Sequence, residues 1–291
     1  MKVIIINKKS NSILCFTFSA LLLLFTFHFA AAAQDIVTDG ELYSVRVQSN
    51  LEKNKSKYER NIYESAYSME ELGQEIKNNL SNREQSFSIR YINDTGSLKE
   101  EIKGVFDGIM SQDDYLHYTI ERYSYVYEGF EGDVTISFKV QYTETKEQFD
   151  YVTSRVDEIL SQIITDGMDD YQKEKAIHDY IVLNVEYDTS YTENSAYAAL
   201  TKGKTVCQGY SLLAYKMLNK AGIETRIVEG DAKGLHLWNL VRLDGIWYHL
   251  DCTWDDPVPN RDGFVSYRFF NLTDEQISVD HKMVKSPHQA S

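Results

Sequence analysis

Cysteine is nearly absent from this 291-residue chain, at three, and one of them, Cys15, sits in an N-terminal apolar run without the small residues that precede a lipidated cysteine. The remaining two, Cys207 and Cys252, are too few for a secreted fold that depends on disulfides. No CxxC or HxxxH spacing occurs, which argues against a zinc site. Proline also stands at three, and neither a low-complexity run nor an internal repeat is present. Positive charge is short: 30 Lys and Arg face 44 Asp and Glu, a net charge of −14. Such a chain repels nucleic acid and anionic membrane surfaces, and no basic patch interleaved with aromatics offsets this. Gly203-Lys204-Thr205 has the ending of a phosphate loop, but the earlier glycine that such a loop needs is Ala198.

The N-terminus carries a targeting pattern. Lys2, Lys8 and Lys9 form a basic start, Ile13 to Ala30 an apolar run, and Ala31-Ala32-Ala33 a small-residue end. A secretory signal over residues 1–33, cleaved after Ala33, is expected, with an uncleaved membrane anchor as the alternative. Cleavage removes three lysines and no acid, so the mature chain is more acidic still. A secreted or cell-surface location follows.

Residues 34–66 are polar and weakly patterned and read as a linker or lead-in. Ser68-Met69-Glu70-Glu71 has the form of a capping box, and Met69, Leu72, Ile76 and Leu80 follow at helical spacing. Phe87 to Ile92 reads as a strand and Leu98 to Met110 as a helix. Tyr115 to Tyr127 and Val134 to Tyr142 read as strands joined by a turn at residues 128–133, the second placing Val134, Ile136, Phe138, Val140 and Tyr142 on one face. Thr145-Lys146-Glu147-Gln148 is another capping box. Behind it Phe149, Val152, Val156, Ile159, Leu160 and Ile163 form an apolar stripe expected to pack on those two strands. Residues 67–165 therefore read as a small α+β domain, and 166–291 as a second domain. In the latter, a helix is expected over about 170–184, a loop over 185–201, a helix from about Thr205 to Gly222, and strands at Thr225–Glu229, Leu235–Leu243 and Ile246–Trp254.

Thr205 is positioned to cap its helix, which puts Cys207 in the first turn. Backbone N–H groups there lack intrahelical partners and the helix dipole favours negative charge, so a thiolate is stabilised and an oxyanion could be held. A small buried cysteine is common, so placement alone is weak; a base is needed. Asp244-Gly245 is a tight hairpin signal. A two-residue turn pairs Leu243 with Ile246 and sets Trp238 opposite Asp251. His236 then lies diagonal to Asp251 on the same face, within side-chain reach. Asn239 and Cys252 point to the other face. The set Cys207, His236 and Asp251 is thus a candidate nucleophile, base and orienter. A metal site built from Cys207, His236, Asp251 and Cys252 is the weaker reading. His178 is expected at the surface, His249 as a structural residue on the face opposite Asp251, and His281 and His288 in the tail. For Asp255-Asp256-Pro257 a strand-ending turn is preferred to calcium ligation.

TVCQGYSLLAYKML, GLHLWNLV, DGIWYHLDCTWDDP and the upstream NVEYD together resemble the bacterial transglutaminase-like superfamily, relatives of papain-like cysteine enzymes. The resemblance is close from about Lys173 to Pro257 and looser to Asp274. It implies an α+β fold: a papain-like core with the Cys-bearing helix packed on an antiparallel sheet carrying His and Asp, preceded by a small α+β domain. It implies Cys207 as nucleophile, His236 as base and Asp251 as orienter. It also implies a cysteine transferase or hydrolase acting on protein or peptide amides, within a cell-envelope setting, without a cofactor. Cys252 stands where members often carry proline or an aliphatic residue. The second oxyanion donor is not fixed; Gln208, Tyr187 and Tyr197 are oxyanion or substrate-lining candidates, and Trp238 is expected to cover the site. Whether water or an amine resolves the acyl-enzyme stays open, as does the alternative of a catalytically idle binding or adaptor module.

Overall fold

The computed structural model describes residues 2–7, 35–36, 41–45 and 64–285, apart from 260 and 262. The apolar run, Ala33 and most of the 34–66 lead-in lie outside the described residues. Among the described residues no helix is long and apolar enough to cross a membrane. They divide into two compact units, one ending at Ser111 and resuming over Ile120–Tyr142, the other formed by Gln112–Thr119 and the chain from Thr143 onward.

The first unit contains β1 (Lys2–Asn7), β2 (Asp35–Ile36), β3 (Glu41–Val45), β4 (Glu64–Ala66), α1 (Met69–Ser81), β5 (Ser86–Tyr91) and α2 (Leu98–Gln112). After α3 (Asp114–Thr119), which belongs to the second unit, come β6 (Ile120–Phe130) and β7 (Asp133–Tyr142). The sheet order is β2-β3-β1-β6-β7-β5-β4. Lys2–Asn7, the start of the expected signal, pairs with β3 on one side and β6 on the other, so cleavage after Ala33 would leave β6 as an edge. The alternation expected of β7 holds: its five apolar residues are all buried. A strand sends alternate side chains to opposite faces, and this face stacks on helix and sheet aromatics: Phe138 lies 4.8 Å from Phe87 and Phe106 lies 3.9 Å from Tyr123. Ser68 caps α1 by accepting from the Glu71 N–H at 3.1 Å, while the Glu71 carboxylate reaches the Tyr67 N–H.

Residues 115–119 are helical, which corrects the long tyrosine-rich strand. The Asp113 side chain accepts the Leu116 N–H at 3.0 Å and starts a turn of helix. That turn is fastened to the second unit. Arg226 donates to both oxygens of Asp114 at 2.8 Å, and the Tyr115 hydroxyl donates to Glu144 at 2.7 Å.

The second unit continues with α4 (Lys146–Ile163), α5 (Asp170–Asn184), β8 (Glu186–Tyr187), α6 (Ala196–Lys202), β9 (Lys204–Thr205) and α7 (Cys207–Lys220). Then follow β10 (Thr225–Asp231), β11 (Leu235–Leu243), β12 (Ile246–Leu250), α8 (Cys252–Asp255), β13 (Phe270–Leu272), α9 (Asp274–Ile277) and β14 (Lys282–Lys285). Reciprocal capping boxes open α4 (Thr145 with Gln148) and α5 (Asp169 with Gln172). The antiparallel sheet has the order β13-β12-β11-β10-β14. Helix α7 lies against it, burying Tyr210, Leu213, Ala214, Met217 and Leu218.

The α4 stripe packs here. Val152, Val156, Ile159 and Leu160 share one core with α5, α6 and α7. The expected boundary at 165/166 therefore moves back to 142/143. A helical stripe announces that one face is buried and says nothing of what buries it. The stretch 185–201, expected as a loop, contains β8 and α6. Ser195 caps α6 by accepting the Ala198 N–H at 3.1 Å, and Ala196, Ala198 and Ala199 are buried. Seven residues are too few to show a helical period.

Candidate active site

Cys207 is the first residue of α7, but Thr205 does not cap it. The N-cap is Val206, which makes no side-chain hydrogen bond. Thr205 lies in β9, parallel to Tyr187, and its hydroxyl donates to the Glu193 carbonyl at 3.1 Å. The Val206 N–H donates to the same carbonyl at 2.8 Å. The Glu193 loop is gathered in turn by the buried Asp188 carboxylate, which accepts from the N–H groups of Ser190, Thr192 and Glu193. The nucleophile position is thus held by a strand pair and a pinned loop, and the hydrogen bonding of α7 begins at the Gly209 N–H, which donates to the Val206 carbonyl at 2.9 Å.

Gly209 has no space for a side chain. A Cβ there would lie 2.0 Å from the Thr205 Oγ1 and 2.7 Å from the Ser195 carbonyl oxygen. Gly209→Ala must push α7 off β9, an overpacking cost of about 1–3 kcal/mol. The expected outcome is a lower melting temperature and slower alkylation of Cys207; a variant with wild-type values of both contradicts the packing described.

The hairpin has the expected register. Asp244 and Gly245 take φ of 50° and 83°, as a type I′ turn requires, and Leu243 pairs Ile246, Val241 pairs Tyr248 and Asn239 pairs Leu250. The strand then ends at Leu250, four residues short of expectation. Asp251 is the N-cap of α8: its Oδ1 accepts the N–H groups of Thr253 at 2.9 Å and Trp254 at 3.1 Å. Its Oδ2 meets the Nε2 of His236 at 2.7 Å. The pairing of His236 with Asp251 is as read from the register, and a helix cap supplies the orientation. With Nε2 committed, Nδ1 is the ring nitrogen left to face Cys207, which lines the same cleft and helps raise the imidazole pKa.

Burial, which disfavours charge, is the largest influence on His236. The Asp251 carboxylate and Cys207 together overcome it and push the imidazole pKa up to about 10. Burial also opposes ionisation of Asp251, yet the charge and hydrogen bond of His236, with the hydrogen bond of His281, hold this carboxyl well below its usual range. Cys252 is buried, and burial pushes its thiol well up, so it is poorly reactive.

Cys207 and His236 open onto a cleft of about 430 Å³ whose walls include Tyr187, Tyr191, Trp254 and Asp256. Of the oxyanion or lining candidates, Tyr187 is in this wall. Gln208 is not: its amide donates to the Tyr118 carbonyl at 3.3 Å. Tyr197 packs edge-on to Tyr151, 5.5 Å away, and joins the core. Trp238 lies beneath the site, not over it. It is buried, stacks on His236 at 5.7 Å, and donates from Nε1 to the Nδ1 of His249 at 2.8 Å. His249 therefore shares the face of Trp238 and His236, contrary to expectation. Trp254 is the indole in the cleft wall.

Residues 157–252 match the family description "Transglutaminase-like superfamily". The span holds Cys207, His236 and Asp251. These residues form a transglutaminase-like superfamily domain. Its core is papain-like, with α7 packed on the antiparallel sheet. Similar curated proteins include the Kyphoscoliosis peptidase of Homo sapiens, 27% identical over 150 residues, which are 44% of this chain and 23% of that protein. That of Mus musculus is 27% identical over 152 residues, again 44% and 23%. The match thus spans under a quarter of those relatives' length. A solved structure titled "Crystal structure of a TGase" is similar at 16% identity, covering 70% of this chain and 62% of that one, with a TM-score of 0.36.

One further residue, expected in the tail, stands against the Asp251 carboxylate. His281, beyond the matched span, is buried, and its Nε2 lies 2.9 Å from the Asp251 Oδ2. It sits between Trp254, at 4.6 Å, and Trp238, at 5.1 Å. No local motif marks it; only the return of the chain along β10 brings it there. His236, Asp251 and His281 place ligand atoms within 4.8 Å of one another, so a metal could be considered. Two ligand atoms each about 2.0–2.2 Å from one tetrahedral metal stand about 3.3–3.6 Å apart, so the 2.7 and 2.9 Å contacts to Asp251 are those of hydrogen bonds. His178 is the other displaced histidine. It is buried, not at the surface, with Nε2 3.2 Å from Asp255 and Nδ1 3.2 Å from Asp179. Asp255 also accepts from Ser266 and the Phe269 N–H, so it organises the following loop as a turn residue should.

Proposed function

We propose that this protein is an extracytoplasmic cysteine acyl-transfer enzyme acting on protein or peptide amides. The observation that carries the reading is the grouping of three side chains: Asp251 on the Nε2 of His236, and His236 sharing an open cleft with Cys207, which stands at a helix start. His236 takes the thiol proton, and the thiolate attacks the carbonyl carbon. The S–C bond forms, the C–N bond breaks, and the departing nitrogen takes the proton back from the imidazolium. The tetrahedral oxyanion lies near the first N–H groups of α7, with Tyr187 alongside. Water then resolves the thioester to a carboxylate, or an amine resolves it to a new amide; either returns the thiol. The basic start and apolar run of the N-terminus support action outside the cytoplasm.

The test pairs a glutamine-containing protein substrate with a fluorescent amine. Covalent label in the wild type that is lost in Cys207→Ala, by about 10²-fold or more, supports transamidation. Ammonia or cleaved peptide without label, again lost in Cys207→Ala, supports hydrolysis. Activity that survives in Cys207→Ala overturns the assignment, and no activity across a broad substrate panel favours the adaptor.

A further inference from the structure

We propose that Asp256 is a specificity residue of this cleft, taking a positively charged side chain of the substrate, an ammonium or a guanidinium. The inference rests on the reading that the Cys207 cleft is where substrate binds.

Asp256 follows α8 and lies in the wall that also carries Tyr187, Cys207, His236 and Trp254. It is 4% exposed. One oxygen is fixed: Oδ2 accepts from the Tyr210 hydroxyl at 2.6 Å, and Tyr210 is a core residue of α7. The other, Oδ1, is buried and has no hydrogen-bond partner. A buried carboxylate with an unpaired oxygen is costly, and the usual remedy is a cation. No Lys or Arg among the described residues forms an ion pair with it. The nearby lysine in the cleft wall, Lys233, stands over the Trp254 ring at 5.1 Å. Burial, with the negative field of Glu186, pushes the Asp256 carboxyl up to about 6 against the opposing pull of the Tyr210 hydroxyl and the Tyr187 backbone N–H, leaving it largely ionised at neutral pH. An ammonium or guanidinium entering the cleft would meet a carboxylate and the rings of Tyr187 and Tyr191 in the same wall, the combination that recognises cations. Asp251 already receives four donors; Asp256 has one buried oxygen with no side-chain donor.

The test uses charge-matched thiol reagents on the mature protein: 2-aminoethyl methanethiosulfonate, a cation, against neutral methyl methanethiosulfonate. Modification of Cys207 is followed by peptide mass. In Asp256→Asn the cation-to-neutral rate ratio is expected to fall about fivefold or more, the worth of one partly desolvated charge pair. An unchanged ratio overturns the proposal. A second measurement uses the wild type alone, in case the variant misfolds. n-Butylammonium, but not 1-butanol, should protect Cys207 from the neutral reagent; equal protection, or none, overturns it. If wild-type Cys207 is inert to both reagents, the acyl-transfer reading falls, and the cation site is read separately from the Trp254 indole resonance. A shift on adding n-butylammonium then supports the site, and no shift sinks it.

Discussion

Asp251→Ala is expected to cost about 3–5 kcal/mol of folding stability and to abolish the reactivity of Cys207 at neutral pH. The carboxylate receives four donors: the imidazoles of His236 and His281 on Oδ2, and the N–H groups of Thr253 and Trp254 on Oδ1. Alanine leaves both buried imidazoles without their acceptor and removes the cap of α8, which alone is worth about 1 kcal/mol. Asp251→Asn separates the two roles. Its oxygen can still cap α8, but its amide then turns N–H groups toward the imidazoles. His236 must accept at Nε2, so its proton moves to Nδ1, where the thiol proton should be received. That variant is expected to fold, with Cys207 chemistry slowed about 10³–10⁴-fold. Melting curves and alkylation kinetics on both variants decide it. An alanine variant that melts like wild type would mean that the four donors have other partners. The acid limb has a fixed sign. A carboxyl held below its unfolded pKa contributes stability above about pH 4, and this is lost as pH falls through the folded value.

Much of this site was legible because hairpin register is a local property. Asp244-Gly245 admits a two-residue turn, and from that turn the pairing of β11 with β12 follows as far as Asn239 with Leu250; just beyond it His236 and Asp251 meet. Helix starts were legible for the same reason: Ser68 and Thr145 each cap through a residue three positions on. What failed was non-local. The α4 stripe was visible, but its partners in α7 come about sixty residues later. Residues 112–119 join the second unit through Asp114 and Arg226, a pair 112 positions apart. His281 reaches Asp251 from beyond β13 and α9, and a lone histidine in a polar stretch carries no period or motif. The end of β12 was missed for a subtler reason: the Asp251 side chain captures two N–H groups ahead of it, and this competes with extending the strand.

His236→Ala is expected to slow alkylation of Cys207 at pH 7 by about 10²-fold while leaving Cys252 unreactive, as in the wild type. Among the described histidines, His236 is the one that shares the cleft with Cys207, while His249 is bonded to Trp238 and Asp274 and His281 to Asp251. Its charge also carries a pH signature. The folded imidazole is held up to about 10, against about 6.5 in an unfolded chain. A raised folded pKa contributes stability that is fully present below the unfolded value and is lost as pH rises through the folded one. Wild-type stability should therefore decline between about pH 6.5 and 10. The alanine variant should lack this component of the decline. In that variant, Cys207 alkylation should be slower than in the wild type across the neutral range. Parallel pH profiles of melting and of alkylation for the two proteins test both statements. Coincident alkylation profiles would mean that the imidazole neither withdraws the thiol proton nor pairs with the thiolate, and Cys207 would revert to a cysteine at the head of a helix.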